Sequence, residues 1–273
     1  NMLKRLQGRL NIFIRRSYAS IFSSNKLLIK FNKLLLDLCL SALGYGLFRN
    51  MKESGEEFFI KKYLSNKPIN LCLDIGANIG NYSLLLLEET NSKVISFEPL
   101  PFVFKKLSDN LSNYSDRTTL VNKGISNKSE TLKIHYNENL PSLASFVKEA
   151  NHLEHIQNNE TLEIEVTSID DFCRENQITE IDYIKIDVEG FEYEVLEGAV
   201  ETFKSIKPKY VQIEYGWHQL IRNTTLNYYA EKLSNYNVYQ LTYNNMKLVD
   251  PKDSYANFHL YSNFVFIRKD IDQ

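Results

Sequence analysis

Acidic residues next to glycines, directly after an apolar segment, are the residues of this chain best suited to chemistry. Residues 71–81 read L-C-L-D-I-G-A-N-I-G-N and lead into a helical pattern over residues 82–88. Gly76 and Gly80 allow a tight turn and a close approach of backbone to ligand. The start of the following helix offers free N–H groups. The pattern predicts a strand, a ligand-binding turn and a helix, with Asp74 at the turn.

Glu98 ends the next apolar segment, 22 residues after Gly76. In doubly wound nucleotide-binding folds an acidic residue at this spacing accepts hydrogen bonds from ribose hydroxyls. A dinucleotide fingerprint would have a third glycine, whereas Ala77 and Asn78 fill the middle of this turn. Asp74 repels a pyrophosphate and attracts a cationic amino-acid group. The two carboxylates therefore favour S-adenosylmethionine over a dinucleotide, with a purely structural turn as the alternative.

A second acidic cluster lies in residues 181–192, I-D-Y-I-K-I-D-V-E-G-F-E. An apolar segment ends in Asp187, Glu189 follows, and Gly190 precedes a helical pattern. Ligands of open α/β sheets bind beyond the carboxyl ends of the strands, so we expect Asp187 beside Asp74. The alternative is that Glu189 and Glu192 only supply negative charge to a helix N-terminus.

Acceptor chemistry requires a group that takes up a proton, because methyl transfer is an in-line displacement that needs positioning and deprotonation. His218 follows the apolar segment 210–215 and adjoins Trp217, a ring suited to stacking on a sugar. Asp187, Glu189 and Glu214 could together bind a hard cation such as Mg²⁺; without a histidine or a tighter cluster we assign no metal. The predicted catalytic residues are Asp187, Glu189, Glu214 and His218. Further histidines that could contact the acceptor are His135, His152 and His155.

Strand and helix patterns alternate along most of the chain, which is typical of a parallel sheet covered by helices on both faces. We predict an α/β fold with a seven-stranded sheet that ends in an antiparallel pair. Two further β segments, 131–136 and 161–167, are separated by about two dozen mostly polar residues, longer than an ordinary loop. We expect a substrate-side insertion or lid there. The seven strands are predicted at 70–75, 93–98, 118–122, 183–187, 210–215, 238–242 and 264–268, and the helices at 56–64, 81–89, 102–112, 169–176, 193–203 and 226–234.

Charge divides the 273 residues into two parts. Residues 1–50 contain nine Lys or Arg and one Asp, a net charge of +8, which leaves −10 for the remainder. Residues 25–42 have the pattern of a basic amphipathic helix. We therefore predict a basic helical extension at 1–50 and a catalytic domain at 51–273. The extension packs on the core or on a second subunit, or contacts a membrane surface; the acidic loop after residue 187 disfavours nucleic acid.

The compartment is predicted from cysteines and hydropathy. Cys39, Cys72 and Cys173 form no C-x-x-C pair, so neither a zinc site nor a disulfide framework is indicated. The longest apolar run, residues 34–48, contains Asp37 and is too short to span a bilayer. We expect a cytoplasmic protein with a peripheral membrane contact or a homo-oligomeric contact through residues 1–50.

Five segments together resemble the FkbM-type methyltransferases, in the order and spacing of that family, over roughly residues 55–270. They are D-I-G-A-N-I-G-N-Y-S at 74–83, F-E-P-L-P-F-V-F-K-K-L at 97–107, N-K-G-I-S-N at 122–127, T-S-I-D-D-F at 167–172 and I-K-I-D-V-E-G-F-E-Y-E-V-L-E-G-A at 184–199.

The resemblance implies a class I S-adenosylmethionine-dependent methyltransferase with a Rossmann-like sheet, and O-methylation of a sugar or natural-product hydroxyl. The expected acceptor is a carbohydrate or a nucleotide-linked sugar. Two alternatives stay open: an NAD-linked sugar oxidoreductase, disfavoured by Asp74 and the absent third glycine, and a donor-binding module without catalysis. By the resemblance, residues at the methionine end of the donor are Asp74, Gly76, Asn78 and Gly80; Glu98 holds the ribose, and the residues near the adenine are Asn122 and Gly124.

Overall fold

The computed structural model describes residues 2–23, 25–47, 49–149 and 157–272. His152 and His155, two of the candidate acceptor histidines, lie outside the described residues.

Strands and helices alternate through the described chain as the sequence patterns predict. The strands are β1 (Leu71–Ile75), β2 (Lys93–Phe97), β3 (Thr118–Val121), β4 (Gly124–Ile125), β5 (Glu130–Tyr136), β6 (Glu160–Thr167), β7 (Tyr183–Ile186), β8 (Tyr210–Tyr215), β9 (Tyr236–Thr242), β10 (Asn245–Leu248) and β11 (Ser262–Arg268). The helices are α1 (Met2–Phe22), α2 (Lys26–Ala42), α3 (Glu56–Phe59), α4 (Asn81–Glu89), α5 (Pro101–Asn110), α6 (Ile169–Glu175), α7 (Glu192–Glu197), α8 (Trp217–Ile221) and α9 (Leu226–Lys232).

The central sheet has the strand order β10-β9-β11-β8-β7-β1-β2-β3. β3, β2, β1, β7 and β8 run parallel, and β11 is antiparallel to both β8 and β9. All seven predicted strands are present in this sheet. The strand order reverses between β1 and β7, the point where open α/β sheets bind ligands.

Several details differ from the sequence prediction. An eighth strand, β10, pairs with β9 across a two-residue turn at Tyr243 and Asn244, and its four residues, of which two are polar, give little strand signal. Helix α8 was not predicted. The helix predicted at 193–203 is interrupted after Glu197 by a turn at Gly198 and is followed by a π-helix at Thr202–Ile206. A Cβ at Gly198 would lie 2.2 Å from the carbonyl oxygen of Ser126, so a close backbone approach fixes the turn.

The apolar core lies on both faces of the central sheet. Cys72 and Val94 pack toward α4, whereas Leu73 and Ile75 pack toward α6, α7 and α9. This alternation follows from the two-residue period of a strand. Asp74 and Gly76 therefore face the α4 side.

The second sheet, of order β4-β6-β5, comes from the two β segments predicted at 131–136 and 161–167. β5 and β6 are antiparallel partners, and β4 pairs with β6 directly after the end of β3. This small sheet stands beside the carboxyl end of the parallel strands, where a substrate-side element is expected.

The segment that follows α2 is anchored on the domain. Tyr45 is fully buried, and its hydroxyl donates to the carbonyl oxygen of Tyr255 at 2.5 Å. The Gly46 amide donates to the carbonyl oxygen of Tyr261 at 2.8 Å. Among the described residues, no helix has both the length and the apolarity to cross a membrane.

Candidate active site

Four neighbouring strands place polar residues at equivalent positions. Asp74 of β1 pairs in register with Ser96 of β2 and Lys185 of β7, and Lys185 pairs with Gln212 of β8. We call these four residues the inner row. Because side chains two residues apart share a face, a second row stands at the carboxyl edge of the same face. This edge row consists of Glu98, Gly76, Asp187 and Glu214.

The inner row is a buried, hydrogen-bonded layer beneath α4. The Ser83 hydroxyl donates to Asp74 Oδ2 at 2.6 Å and lies 2.7 Å from the Ser96 hydroxyl. Asp74 is fully buried, and its Oδ1 has no hydrogen-bond partner. Burial raises the pKa of Asp74, while Lys185 and the Ser83 hydroxyl act in the opposite direction. Asp74 therefore organises the turn from inside the protein.

Lys185 connects the two rows. Its Nζ donates to Asp187 Oδ2 at 2.6 Å, although the side chain is buried. Burial works to lower the pKa of Lys185, but Asp187, Asp74 and Glu56 outweigh it and the pKa is raised. The ammonium group stays charged and holds the Asp187 carboxylate in place. We did not predict a role for Lys185 from sequence; the available signal was the one polar residue at the same place in each of four apolar strands.

Gly76 leaves a gap in the edge row. Its φ is +83°, and a Cβ there would lie 1.8 Å from the carbonyl oxygen of Asp187. No side chain can stand between Glu98 and Asp187, so the sheet edge stays open. A cavity of about 690 Å³, including its mouth, opens at this gap. Predicted site residues that line it are Gly76, Asn78, Glu98, Gly124, Asp187 and Glu189.

Glu98 is held at the cavity wall by two backbone amides. Oε2 accepts from Asn78 N at 3.0 Å, and Oε1 accepts from Leu100 N at 2.9 Å. Burial raises the pKa of Glu98 to about 7, against the lowering effect of these two amides. Each carboxylate oxygen has a second lone pair, so Glu98 can still accept hydrogen bonds from a ligand.

Three predicted donor-site residues lie behind the cavity wall. Asp74 belongs to the inner row. A Cβ at Gly80 would lie 2.6 Å from Leu107 Cδ1, so this glycine lets α5 pack close to the turn. The Asn122 side-chain amide donates to the carbonyl oxygens of Glu98 at 2.8 Å and Pro99 at 3.0 Å. These residues shape the elements that carry Glu98 and Gly76.

Glu192 fixes the loop that carries Glu189. One carboxylate oxygen accepts from Val188 N at 3.2 Å and Gly190 N at 3.1 Å, and the other accepts from the Gln219 side chain at 2.9 Å. Burial raises the pKa of Glu192 to about 7. The sequence suggested only a charge at a helix N-terminus; the structure adds this loop-forming role.

His218 and Glu189 meet at the far side of the loop. His218 Nε2 lies 2.9 Å from Glu189 Oε2, without the alignment of a hydrogen bond. The His218 ring is buried, and the absent side chain of Gly190 leaves room for it: a Cβ there would lie 3.1 Å from His218 Cβ. Burial raises the pKa of Glu189, and His218 opposes that effect.

The described part of the insertion covers the cavity. Ser145 forms an antiparallel bridge with His135, and its hydroxyl donates to the carbonyl oxygen of Glu189 at 2.6 Å. Pro141, Ala144 and Phe146 line the cavity. This part of the insertion is therefore a wall of the site, on the side predicted from sequence.

A model of the FkbM methyltransferase domain matches residues 74–252, which contain both rows and the insertion. The chain belongs to the FkbM methyltransferase family. The matched region begins at Asp74, the inner-row residue that opens the glycine turn. The family resemblance stated from the sequence motifs is thereby confirmed.

Three curated relatives are similar to part of this chain. Methyltransferase sdnD of Sordaria araneosa is 31% identical over 50% of this chain and 64% of that protein. Hexuronic acid methyltransferase AglP of Haloferax volcanii is 27% identical over 59% of this chain and 64% of that protein. 2-O-methyltransferase NoeI of Sinorhizobium fredii is 28% identical over 58% of this chain and 68% of that protein. The chain thus matches slightly less than two thirds of sdnD and AglP.

The acidic part of this FkbM site is crowded. Ligand oxygens of Asp187, Glu189 and Glu214 lie within 4.8 Å of one another. Burial raises the pKa of Glu214 well above its usual value, and Asp187 and Glu189 raise it further. Three such oxygens are chemically suited to a hard cation. The Lys185 ammonium already neutralises Asp187, which leaves the cluster suited to sharing a proton.

Proposed function

We propose that this protein is an S-adenosylmethionine-dependent O-methyltransferase that acts on a sugar hydroxyl, in a nucleotide-linked sugar or a surface glycan. The observation that carries the proposal is the gap at Gly76 between Glu98 and Asp187, inside a matched FkbM methyltransferase domain.

The residues around the gap fit the donor. The cavity at the gap is bounded by the carboxyl ends of β1, β2 and β7 and by the insertion. Glu98 offers free lone pairs to ribose hydroxyls, and Asn78 and Gly124 line the same cavity. The acidic edge row favours a ligand that carries both a sulfonium and an ammonium group. A pyrophosphate in its place would be repelled by the ionised form of Glu98.

The donor and the protein supply different parts of the methyl-transfer reaction. S-adenosylmethionine supplies a methyl group on a positively charged sulfur, ready for in-line displacement. The protein has to hold the acceptor hydroxyl and accept its proton. We assign uptake of the hydroxyl proton to the His218–Glu189 pair, in which Glu189 Oε2 lies 2.9 Å from His218 Nε2 and stabilises the imidazolium that results. The walls formed by Ala144 and Phe146 limit the access of water.

A carbohydrate acceptor is supported by two relatives. AglP is named a hexuronic acid methyltransferase, and NoeI is named a 2-O-methyltransferase. A buried pair of a carboxylate and an imidazole is suited to the deprotonation of a hydroxyl group.

The test is transfer of a labelled methyl group from S-adenosylmethionine to a panel of nucleotide sugars and glycans. We expect label in at least one sugar, at a hydroxyl oxygen, and loss of the label transfer in His218→Asn. A protein that binds NAD and not S-adenosylhomocysteine would overturn the proposal in favour of an oxidoreductase. A protein that binds the homocysteine product but labels no sugar would overturn the sugar assignment.

A further inference from the structure

The outer face of α2 exposes a continuous apolar stripe. Its members are separated by four, three and four residues, which places them on one face of a helix. Each is between 53% and 75% exposed. The stripe consists of Leu27, Phe31, Leu34 and Leu38.

A second apolar face of α2, also partly exposed, turns toward α1. The groove between α1 and α2 is lined by Ile29 and Leu36 of α2 and by Tyr18 and Phe22 of α1. The Tyr18 and Phe22 rings stack, and the Tyr18 hydroxyl donates to the Asn32 side chain. Helix α1 also exposes large apolar side chains away from this groove, namely Leu10, Phe13, Ile14 and Ile21.

Positive charge accompanies the stripe. Lys26, Lys30 and Lys33 lie along one edge of α2, next to the stripe on the helix. Residues 1–50 have a net charge of +8, whereas the rest of the chain has −10. A second copy of the same helices would bring +8 against +8. An anionic surface complements this part of the molecule, and a second copy does not.

Helices α1 and α2 are attached near the carboxyl edge of the central sheet, where the candidate active site lies. The Gly46 amide bonds the carbonyl oxygen of Tyr261, and the next residue, Ser262, pairs with Tyr215, which follows Glu214. The short linker from α2 to Gly46 therefore holds α2 near the carboxyl edge.

We propose that α1 and α2, together called the N-terminal hairpin, dock flat on an anionic lipid bilayer. The stripe enters the boundary between headgroups and acyl chains, and the lysines contact lipid phosphates, as in other interfacial amphipathic helices. The docked hairpin holds the acidic edge row near the membrane surface. This inference does not depend on the proposed methyl transfer.

Vesicle co-sedimentation of the full chain tests the proposal, with vesicles of phosphatidylcholine alone and of phosphatidylcholine mixed with phosphatidylglycerol. We expect binding to the mixed vesicles, weakened at least tenfold by Lys26→Gln, Lys30→Gln and Lys33→Gln combined, and separately by Leu27→Ser and Phe31→Ser combined. Higher salt should weaken binding of the unmodified protein.

Matched controls replace exposed leucine and lysine residues that lie outside the N-terminal hairpin. Leu248→Ser, at a site 61% exposed on β10, and Lys105→Gln with Lys106→Gln on α5 should leave vesicle binding unchanged. Equal binding to both vesicle types would overturn the role of charge. Sedimentation of the vesicle-free protein as a dimer that Phe31→Ser dissociates, with no vesicle binding, would show that a second copy covers the stripe and would overturn the proposal.

Discussion

Glu98 connects donor binding to pH. Its pKa of about 7 lies above the usual glutamate value because the side chain is buried, so the carboxyl group is protonated below pH 7. If the ionised form accepts the ribose hydroxyls, affinity for S-adenosylhomocysteine rises with pH through 7. Below pH 7 we expect a fall of about tenfold per pH unit.

Titration calorimetry between pH 5.5 and 8.5 measures this dependence. Glu98→Gln should bind more weakly at pH 8 and lose most of the pH dependence near 7. Other acidic groups nearby also have a raised pKa, and Glu98→Gln leaves them in place; they are Asp74, Glu189, Glu192 and Glu214. Identical pH profiles for both proteins would assign the effect to Asp74 or elsewhere.

His218 and Glu189 are expected to act on turnover rather than on donor affinity. Loss of a general base lowers the rate by roughly 10²–10⁴-fold. We expect that reduction for His218→Asn, with the dissociation constant for S-adenosylhomocysteine within a factor of two or three. His135→Asn is the control, because the histidine that contacts Glu189 is His218. Full turnover in His218→Asn, or an equal loss in His135→Asn, would contradict the assignment of the base.

Most individual site positions could be predicted from the sequence because glycines and terminal acids mark strand ends. Gly76, Asn78, Glu98 and Gly124 line the cavity as expected. Asp74 does not, because it lies two residues before Gly76, inside the sheet and beneath α4, where the Ser83 hydroxyl contacts it. How far a helix covers the end of a strand depends on packing, which the local sequence pattern does not give.

At the level of strands and helices, several strands repeat one polar residue followed by a residue, usually acidic, at the strand end. The significance of this repeat is not apparent from any single strand. Only the pairing of β2, β1, β7 and β8 aligns the patterns into two rows. The sequence predicted the seven main strands, and it did not predict β10, whose pairing depends on a turn rather than on apolar residues. Lys185 was missed because two of the three carboxylates that keep it charged, Asp74 and Glu56, come from other elements of the fold.

Lys185 is predicted to be the main cation of the inner row. Lys185→Met leaves Asp187, Asp74 and Glu56 without their shared positive charge. Breaking one partner of a buried ion pair costs about 3–5 kcal/mol of unfolding free energy. Urea denaturation at pH 7 measures the loss, and Lys204→Met, at an exposed position, is the control. A change below 1 kcal/mol would mean that the carboxyl groups bind protons in place of the Lys185 charge. A protonated carboxyl group is neutral and needs no cation beside it.

At the level of the whole molecule, the boundary between extension and domain was placed at Met51 from charge and composition. The burial of Tyr45 favours a cut directly after α2 instead, because residues 44–46 are anchored on the domain. The distribution of charge along the sequence reflects residues that face solvent. It does not indicate that a single residue, Tyr45, is buried in the domain.

A variant that begins at Leu43 should keep the stability of the domain, and one that begins at Met51 should lose it. Tyr45→Ala in the full chain is expected to lower the free energy of unfolding by about 3–5 kcal/mol, as for other large buried aromatic side chains. Urea denaturation of the two shortened proteins and of Tyr45→Ala makes the comparison. Equal stability of the Leu43 and Met51 variants would restore the boundary at Met51.

The central claim is that the gap in the edge row holds S-adenosylmethionine, with Glu98 as a direct partner. Calorimetric titration with S-adenosylhomocysteine at pH 8 tests it most directly, for the unmodified protein, for Glu98→Ala and for the exposed control Glu163→Gln. A lost hydrogen bond to a charged group is worth about 1.5–3 kcal/mol, or about 10–150-fold in affinity. We predict saturable binding at one site, a loss of that size in Glu98→Ala, no change in Glu163→Gln, and no binding of NAD. Absence of binding to the folded protein, or equal affinity in Glu98→Ala, would contradict the account.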